Sequence, residues 1–462
     1  MKVIIPSNRG RKRRSWGQAA VSAAWFPVGL AVAAGALLGT VAADSRWLAA
    51  LGGYVVRHGS VPGFVPYASA PSHGWENVPV LGELVFHGLV AFGGYRGLLA
   101  AQVIAVAVAF VLLAMAARRA GASDSSAVLV LLLLIPATLP ALADIRSQLF
   151  SLALFPLLVV LIHGEARRPS HRVWLLAPLL AVWSNLHGAA LVGLAVAAAY
   201  LVLDRSRREP WIALGALGAS VLALFATPAL WHTGSYYDGV LRNEAARRGV
   251  GLWASLSLGS GLDLAFVVCA LLLAAAALRS WPPLWELVTL AGLAALAVHV
   301  ARGGVWFAFF VATPAAVGLG RGTVSRTRLA LPAVVVMAGL AVLGIVHGPY
   351  RAGAGHALLQ QALAAAAGSP ILAEDQLGEQ VALAGGRVWI SNPIDAFRRR
   401  DQRVYLDWLQ GKPTGDAALL HAPRAVLVRP GSAAQRRLAR RGVLREEARD
   451  AGGVLYLRAT RG

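Results

Sequence analysis

The chain has 462 residues, of which 57% are hydrophobic and only 14% charged, with a formal net charge of +21. This balance excludes an ordinary soluble globular protein, because apolar runs long enough to cross a bilayer recur along the chain. It also excludes a nucleic-acid binder: the arginines sit in short clusters between apolar runs, as the positive-inside bias of membrane proteins dictates, and form no basic stripe with interleaved aromatics.

The basic start (Arg9, Arg11, Lys12, Arg13, Arg14) runs into an apolar stretch from Ala19, as in a signal peptide. That stretch reaches about Ala42, too long for a cleaved leader, and predicts an uncleaved first span behind a cytoplasmic tail, residues 1–18. Further spans are predicted at 98–117, 127–143, 149–163, 211–226, 262–278, 284–300, 305–319 and 329–346. Each must be helical, since unpaired backbone groups are too costly in hydrocarbon. Cys269 is the single cysteine and lies inside an apolar run, so no intrachain disulfide can form and a cysteine-based metal site is not expected.

The run from Val173 to Leu203 is ambiguous. As one straight helix it would measure about 46 Å at 1.5 Å per residue, too long without strong tilt. A hairpin broken at Ser184–Gly188 instead places Arg205, Arg207, Arg208, Arg279, Arg321, Arg326 and Arg328 on the side of the N-terminal basic cluster, which suits the positive-inside rule better. The hairpin gives about eleven spans in a transmembrane region, 19–346, with a large first outer loop, 44–96, and an outside C-terminus.

With this topology the polar residues of the apolar region converge on the outer face. Asp44, at the end of the first span, is the best candidate for a catalytic base, because a carboxylate there can take a proton while shielded from bulk water. Its plainer reading is an interfacial helix-end charge. Glu76 and Glu83 could add carboxylates or metal ligands, although each reads more simply as a solvated loop residue. Asp144, Arg146 and Gln148 form a polar corner between two helices, where Arg146 could grip a phosphate through paired N–H donors. Alternatively, Asp144 and Arg146 only solvate a tight turn. Asn185 and His187, inside VWSNLHGAALVG, are either ligand-facing or a self-capped helix break, and Gly188 suits such a break. Arg302, like His299, ends a span on the same face and is a candidate phosphate ligand.

From His347 the apolar density drops. PILAE, GRVWIS, RAVLVR and GVLYLR read as short strands, with helices at Asp401–Gln410 and Ala433–Arg441 between them. Residues 347–462 are therefore expected to form a small extracytoplasmic α/β domain. It shows no catalytic set, and Asp395 with the Arg398–Arg400 run reads as a solvated face. Phosphate-cradling P-loop, Rossmann, HExxH and GxSxG motifs are all lacking in the sequence.

Two segments carry a resemblance. ADIRSQLFS and WSNLHGAALVGL are similar to the R-x-Q-x-F-S and W-x-N-x-H-G-x-x-x-x-G segments of bacterial membrane proteins in the GT-C glycosyltransferase superfamily. The GWENVP segment of loop one and the stretch from Arg302 to Pro314 also look similar. The resemblance implies an α-helical polytopic membrane protein of GT-C-like fold, in an inner or plasma membrane. It further implies transfer of a sugar from a polyprenyl-phosphate donor to an acceptor on the outer face. In that reading Asp44 is the base; Arg146, Gln148, Asn185, His187, Arg302 and Asp144 bind substrate; a divalent cation, Mg or Mn, could take part. Two departures thin the acidic lining: relatives place neighbouring acidic or His residues where this chain has Val78–Glu83, and a Glu-Trp pair where it has Leu252-Trp253. A carrier or flippase for lipid-linked or polar solutes, and a non-catalytic envelope assembly protein, remain the alternatives.

Overall fold

The structure, a computed structural model, describes residues 23–72, 74–322, 330–422, 424–442 and 444–458. The basic tail, His73, Arg326 and Arg328 lie outside the described residues.

In chain order, α1 (Trp25–Leu38) leads through β1 (Thr40–Val41) into α2 (Ser45–His58) and the long α3 (Val80–Arg119). Then follow α4 (Asp124–Ala143), β2 (Asp144–Ile145), α5 (Gln148–Arg167), α6 (Leu176–Ser184), α7 (Ala190–Leu203) and α8 (Pro210–Ala223). Two short helices, α9 (Thr233–Arg242) and α10 (Glu244–Arg248), precede α11 (Gly261–Leu278), α12 (Leu284–His299), α13 (Gly304–Leu319) and α14 (Ala330–His347). The rest alternates: β3 (Tyr350–Arg351), α15 (His356–Ala366), β4 (Leu372–Ala373), α16 (Asp375–Leu383), α17 (Arg399–Leu409), β5 (Ala425–Val428), α18 (Ala433–Arg441), β6 (Leu444–Arg449) and β7 (Val454–Arg458).

This is a multi-pass membrane protein. Among the described residues, α3, α4, α5, α11 and the stretch Ala301–Leu319 are long and apolar enough to cross a bilayer, and α1, α8, α12 and most of α14 are shorter apolar helices. Leu214, Leu222, Leu271, Leu272, Val298 and Val342 are exposed on α8, α11, α12 and α14, as side chains facing lipid must be. Local signals start the helices where the sequence places them. The Ser123 and Ser260 side chains accept the Ser126 and Asp263 N–H groups, and Pro210 occupies the first turn of α8.

The predicted hairpin is present. The helix stops at Asn185 and resumes at Ala190, and the two ends remote from this break meet, with Arg205 donating to the Ser170 carbonyl at 3.1 Å and pairing with Glu165 at 3.6 Å. Gly193 permits the fold-back, since a Cβ there would lie 2.4 Å from the Trp183 ring. The apolar helices therefore alternate in direction. One end of the bundle collects the Arg118–Asp124 pair, the Ala122–Arg321 bridge and the His163–Glu286 contact. The other end collects Asp44, Ser147, His187 and Arg302.

Three differences from the sequence reading matter. The first span ends at Leu38, and Thr40–Val41 become the centre of a parallel three-stranded patch with β2 and β3, in the order β2-β1-β3. Strands of two residues carry no readable periodicity. Second, the span expected at 98–117 starts earlier: α3 begins at Val80, inside loop one, and is interrupted only at Gly94 (φ 57°, ψ −150°). Third, a strand at Leu444–Arg449 was not expected from its charged sequence. It is the exposed edge of a four-stranded sheet, order β4-β5-β7-β6, and an edge tolerates charge. The GRVWIS segment contributes only bridges from Val388, to Ile371 and to Ala68 of loop one. Trp47, Leu51, Val65 and Trp75 of loop one share a core with Leu372, Trp389 and Leu427, so the C-terminal part is packed onto the first loop.

Substituting Gly193→Leu forces a side chain into the Trp183 ring. The expected result is a loss of about 1–3 kcal/mol, the usual cost of overpacking, seen as a lower thermal midpoint of the detergent-solubilised protein. An unchanged midpoint would contradict the hairpin packing.

Candidate functional site

A cavity of about 320 Å³ opens where the helix ends, loop one and the C-terminal part meet. Its geometry starts from Asp44. The backbone there is left-handed (φ 76°), a conformation that a non-glycine residue holds only under constraint. Three contacts supply it. The Asp44 N–H donates to Glu379 Oε1 at 2.8 Å, Asn392 Nδ2 donates to Asp44 Oδ1 at 2.9 Å, and Arg146 Nη2 donates to Asp44 Oδ2 at 3.1 Å. Asn392 Nδ2 also lies 2.8 Å from Glu379 Oε1. The strand patch aligns these partners: β1 delivers Asp44, β2 delivers Arg146, and the Ser45 hydroxyl bonds the Ile145 carbonyl.

Around this knot the cavity has two electrostatic halves. One is cationic. Arg146 and Arg302 line it, and so do Ser147 and Gln148 at the N-terminus of α5, Gly188 and Ala189 at that of α7, and Gly303 ahead of α13. Helix N-termini carry unpaired N–H groups and positive dipole ends, which suit an anion. Arg302 stacks over the Trp253 ring, 4.3 Å from guanidinium carbon to centroid, and makes no hydrogen bond or ion pair among the described residues. The other half carries the carboxyl groups Asp44, Glu83 and Asp395, with Tyr236 and Tyr237 beside them.

His187 is oriented by a relay. Trp183 Nε1 donates to Ser151 Oγ at 2.7 Å, and Ser151 Oγ lies 2.6 Å from His187 Nδ1. This contact engages Nδ1 and leaves Nε2 as the ring nitrogen without a protein partner among the described residues.

The sequence candidates separate cleanly. Asp44, Arg146, Gln148, His187, Arg302 and Glu83 line the cavity, whereas Asp144, Asn185 and Glu76 do not. Asp144 accepts from the Thr40 hydroxyl at 3.1 Å. The Asn185 amide donates to the Ala181 and Ala226 carbonyls at 2.8 and 2.6 Å, so it ties the hairpin tip to the next loop. Glu76 pairs with His232 at 3.7 Å, and Glu83 accepts from Asn77 at 2.9 Å. Among the described residues no group of three or more His, Cys, Asp or Glu is placed to hold a metal ion, and the Asp44 oxygens are taken by Arg146 and Asn392.

Sequence reasoning missed the C-terminal contribution. Asp395, read as a solvated face, lines the cavity, and Asn392 and Glu379 hold Asp44. Only a three-dimensional contact could reveal them, since they lie more than 330 positions from Asp44 (335 for Glu379). Burial, with the Asp44 charge added, pushes the Glu379 carboxyl well up, and the same two causes push Asp395 up to about 6.

A carboxyl whose pKa rises on folding binds protons more tightly in the native state, so stability falls as pH climbs from the ordinary carboxylate range through the raised native values. For Glu379→Gln the expected outcome is a flatter decline of the thermal midpoint between about pH 5 and pH 9, with the variant gaining on the parent at the alkaline end. Parallel melting curves for the two proteins would refute the buried, proton-holding state of Glu379.

No protein-family model matches the sequence, and no curated protein matches it. Solved structures do. ArnT from Cupriavidus metallidurans bound to undecaprenyl phosphate superposes with a TM-score of 0.53 at 14% identity, covering 95% of this chain and 98% of that one. The apo form of the same protein gives 0.50 at 15% identity, covering 94% and 97%. The arabinofuranosyltransferase AftD from Mycobacteria gives 0.53 at 14% identity, covering 95% of this chain and 42% of that one. At these identities the likeness establishes the fold, which is the GT-C architecture expected from the two sequence segments.

Proposed function

We propose that the protein is a membrane glycosyltransferase that moves a sugar from a polyprenyl-phosphate donor to an acceptor hydroxyl on the extracytoplasmic side. The carrying observation is the juxtaposition of Asp44 and Arg146, 3.1 Å apart, on a cavity that is cationic on one half and carboxyl-lined on the other. The solved undecaprenyl phosphate complex of a structurally similar protein supports the choice of donor lipid. The arginine-rich end opposite the cavity supports a cytoplasmic placement for that end and an outward-facing site.

In this reading the donor phosphate lies against Arg302, Arg146 and the N-termini of α5 and α7. His187 adds a neutral donor. The acceptor oxygen forms a bond to the anomeric carbon as its proton passes to the Asp44 carboxylate. The bond from the anomeric carbon to the phosphate oxygen breaks, and polyprenyl phosphate leaves with the electron pair. A single displacement inverts the anomeric centre. Arg302, free of any carboxylate partner, meets the charge that grows on the leaving phosphate, where fixed donors act most strongly.

Purified protein supplied with a polyprenyl-phosphate sugar tests this. Asp44→Asn is expected to lower turnover by about 10²–10⁴-fold, the range for loss of a general base, while lipid binding persists. Arg302→Ala is expected to cost about 10²–10³-fold. Undiminished turnover in Asp44→Asn would remove the assignment. Flux of unmodified lipid-linked sugar through liposomes, without transfer, would favour a carrier instead.

A further inference from the structure

The proposed reaction makes no use of Asp395. This residue sits in a single short turn, Ile394–Ala396, on the wall of the cavity. Just before the turn, Asn392 bonds the Asp44 carboxylate at 2.9 Å, so the turn is pinned to the base itself. No other side chain among the described residues bonds or pairs with the Asp395 carboxylate, and the hydrogen bond it draws comes from its own backbone N–H. Burial and the Asp44 charge push it up to about 6, which leaves it ionised at neutral pH and able only to accept. A carboxylate so placed calls for a hydrogen-bond donor on whatever fills the cavity.

The helix α9 shows where that donor comes from. The Tyr236 hydroxyl lies against Gly188, beside the N-terminus of α7: a Cβ on Gly188 would be 3.3 Å from that oxygen. On the same face of α9, Gly239 meets Asp395, and a Cβ there would be 3.8 Å from the Asp395 Cβ and 4.0 Å from Oδ2, an ordinary contact. One face of this helix therefore joins the anion side of the cavity to Asp395. Tyr236 and Asp395 are only partly buried and both line the cavity, so a ligand can touch them. A group joined to a phosphate held at Arg302 and the α7 N-terminus extends past Tyr236 toward Asp395. An acidic group there would add a negative charge beside Asp44 and Asp395, and like charges set together are disfavoured. A second cavity, about 380 Å³, borders the first, and Leu252, Trp253, Asn392 and Ile394 line both, but Asp395 lines the first alone. Its ligand thus shares the space of Arg302 and Asp44.

We infer that Asp395 determines which sugar the protein takes: its carboxylate accepts hydrogen bonds from the hydroxyls of the donor sugar, a non-acidic one, lying between it and the phosphate. The identity of the ligand rests on the transferase reading; the reach of Asp395 into the cavity does not.

The test measures binding by the full chain in detergent, with no turnover required. The probes are a polyprenyl phosphate, its neutral hexosyl and pentosyl derivatives, and its glucuronosyl derivative. At least one neutral derivative is expected to bind more tightly than the bare lipid, and the glucuronosyl derivative more weakly than that one. Asp395→Asn keeps the shape and removes the charge. It is expected to lower affinity for the neutral derivative about tenfold or more, the worth of a hydrogen bond to an ionised group, and to narrow the gap to the glucuronosyl derivative. Gly239→Leu leaves the carboxylate but lays a side chain over it, and should weaken the neutral derivative likewise. Bare lipid should bind both variants as it binds the parent, which shows that they are folded. Unchanged sugar preference in both variants would overturn the role of Asp395, and so would a parent that binds no sugar-bearing lipid better than the bare one. Sugar transfer by the purified parent would leave the transferase reading standing in either case. A rise in the acceptor KM with donor binding unchanged would overturn the assignment to the donor. Sugar-lipid binding that follows the variants, in a protein that transfers no sugar, would uphold the site and sink the transferase reading.

Discussion

The structure turns on the conformation of one residue. Asp44 is held left-handed between two elements, and such a backbone costs of the order of 1–3 kcal/mol unless its surroundings require it. Here they do. Its carboxylate is gripped by Arg146, 102 positions away, and by Asn392, 348 positions away, and its N–H is taken by Glu379. These bonds involve ionised or buried partners, the kind whose loss leaves a desolvated charge exposed to no compensation. The helical bundle, the first loop and the C-terminal part are thus locked together through a single carboxylate. The C-terminal part is a structural half of the site and no appendage.

This constraint also sets the electrostatics of the cavity. Arg146 lines the same cavity as Arg302 and is paired with Asp44, so in the proposed reaction an anion held there would compete for the guanidinium that steadies Asp44. In the proposed reaction this links the departure of the phosphate to the state of the base. As negative charge grows on the leaving oxygen, Arg146 is drawn toward it, and Asp44 is released from its partner while it accepts the acceptor's proton. The helix N-termini of α5 and α7 add fixed positive ends that need no rearrangement during the step.

Much of this could be read from the sequence, and the limits have physical causes. The spans were legible because hydrocarbon permits only helices, and the hairpin at 173–203 because arginine placement distinguishes the two topologies. Asp44, Arg146, His187 and Arg302 were legible because polar side chains are costly near apolar helix ends. Asn185 sits beside His187 in the same motif but serves the backbone: a residue at a helix break and a residue facing a ligand share one signature, an isolated amide in an apolar run. Asp144 and Arg146 diverge likewise: the Asp144 carboxylate turns to the Thr40 hydroxyl, while Arg146, just beyond the end of β2, reaches the Asp44 carboxylate. Glu379, Asn392 and Asp395 were invisible for another reason. In a soluble-looking segment a carboxylate is the default surface residue, so burial against a distant loop leaves no local trace.

The departures from the related segments gain an explanation from the same geometry. Where relatives place an acidic residue before the tryptophan, this chain has Leu252, and Trp253 stacks on Arg302 while forming part of the wall between the two cavities. Leu252 lines the same cavity as Arg302, which among the described residues has no carboxylate ion pair. The apolar residue at 252 adds no carboxylate to that side of the cavity, and Asp395 adds carboxyl character from the C-terminal part. The Asp44 charge is among the causes that raise Asp395. Among the described residues, the first cavity thus holds the unpaired Arg302 beside the Arg146–Asp44 pair, and the second holds Arg429 paired with Glu374 and Asp375.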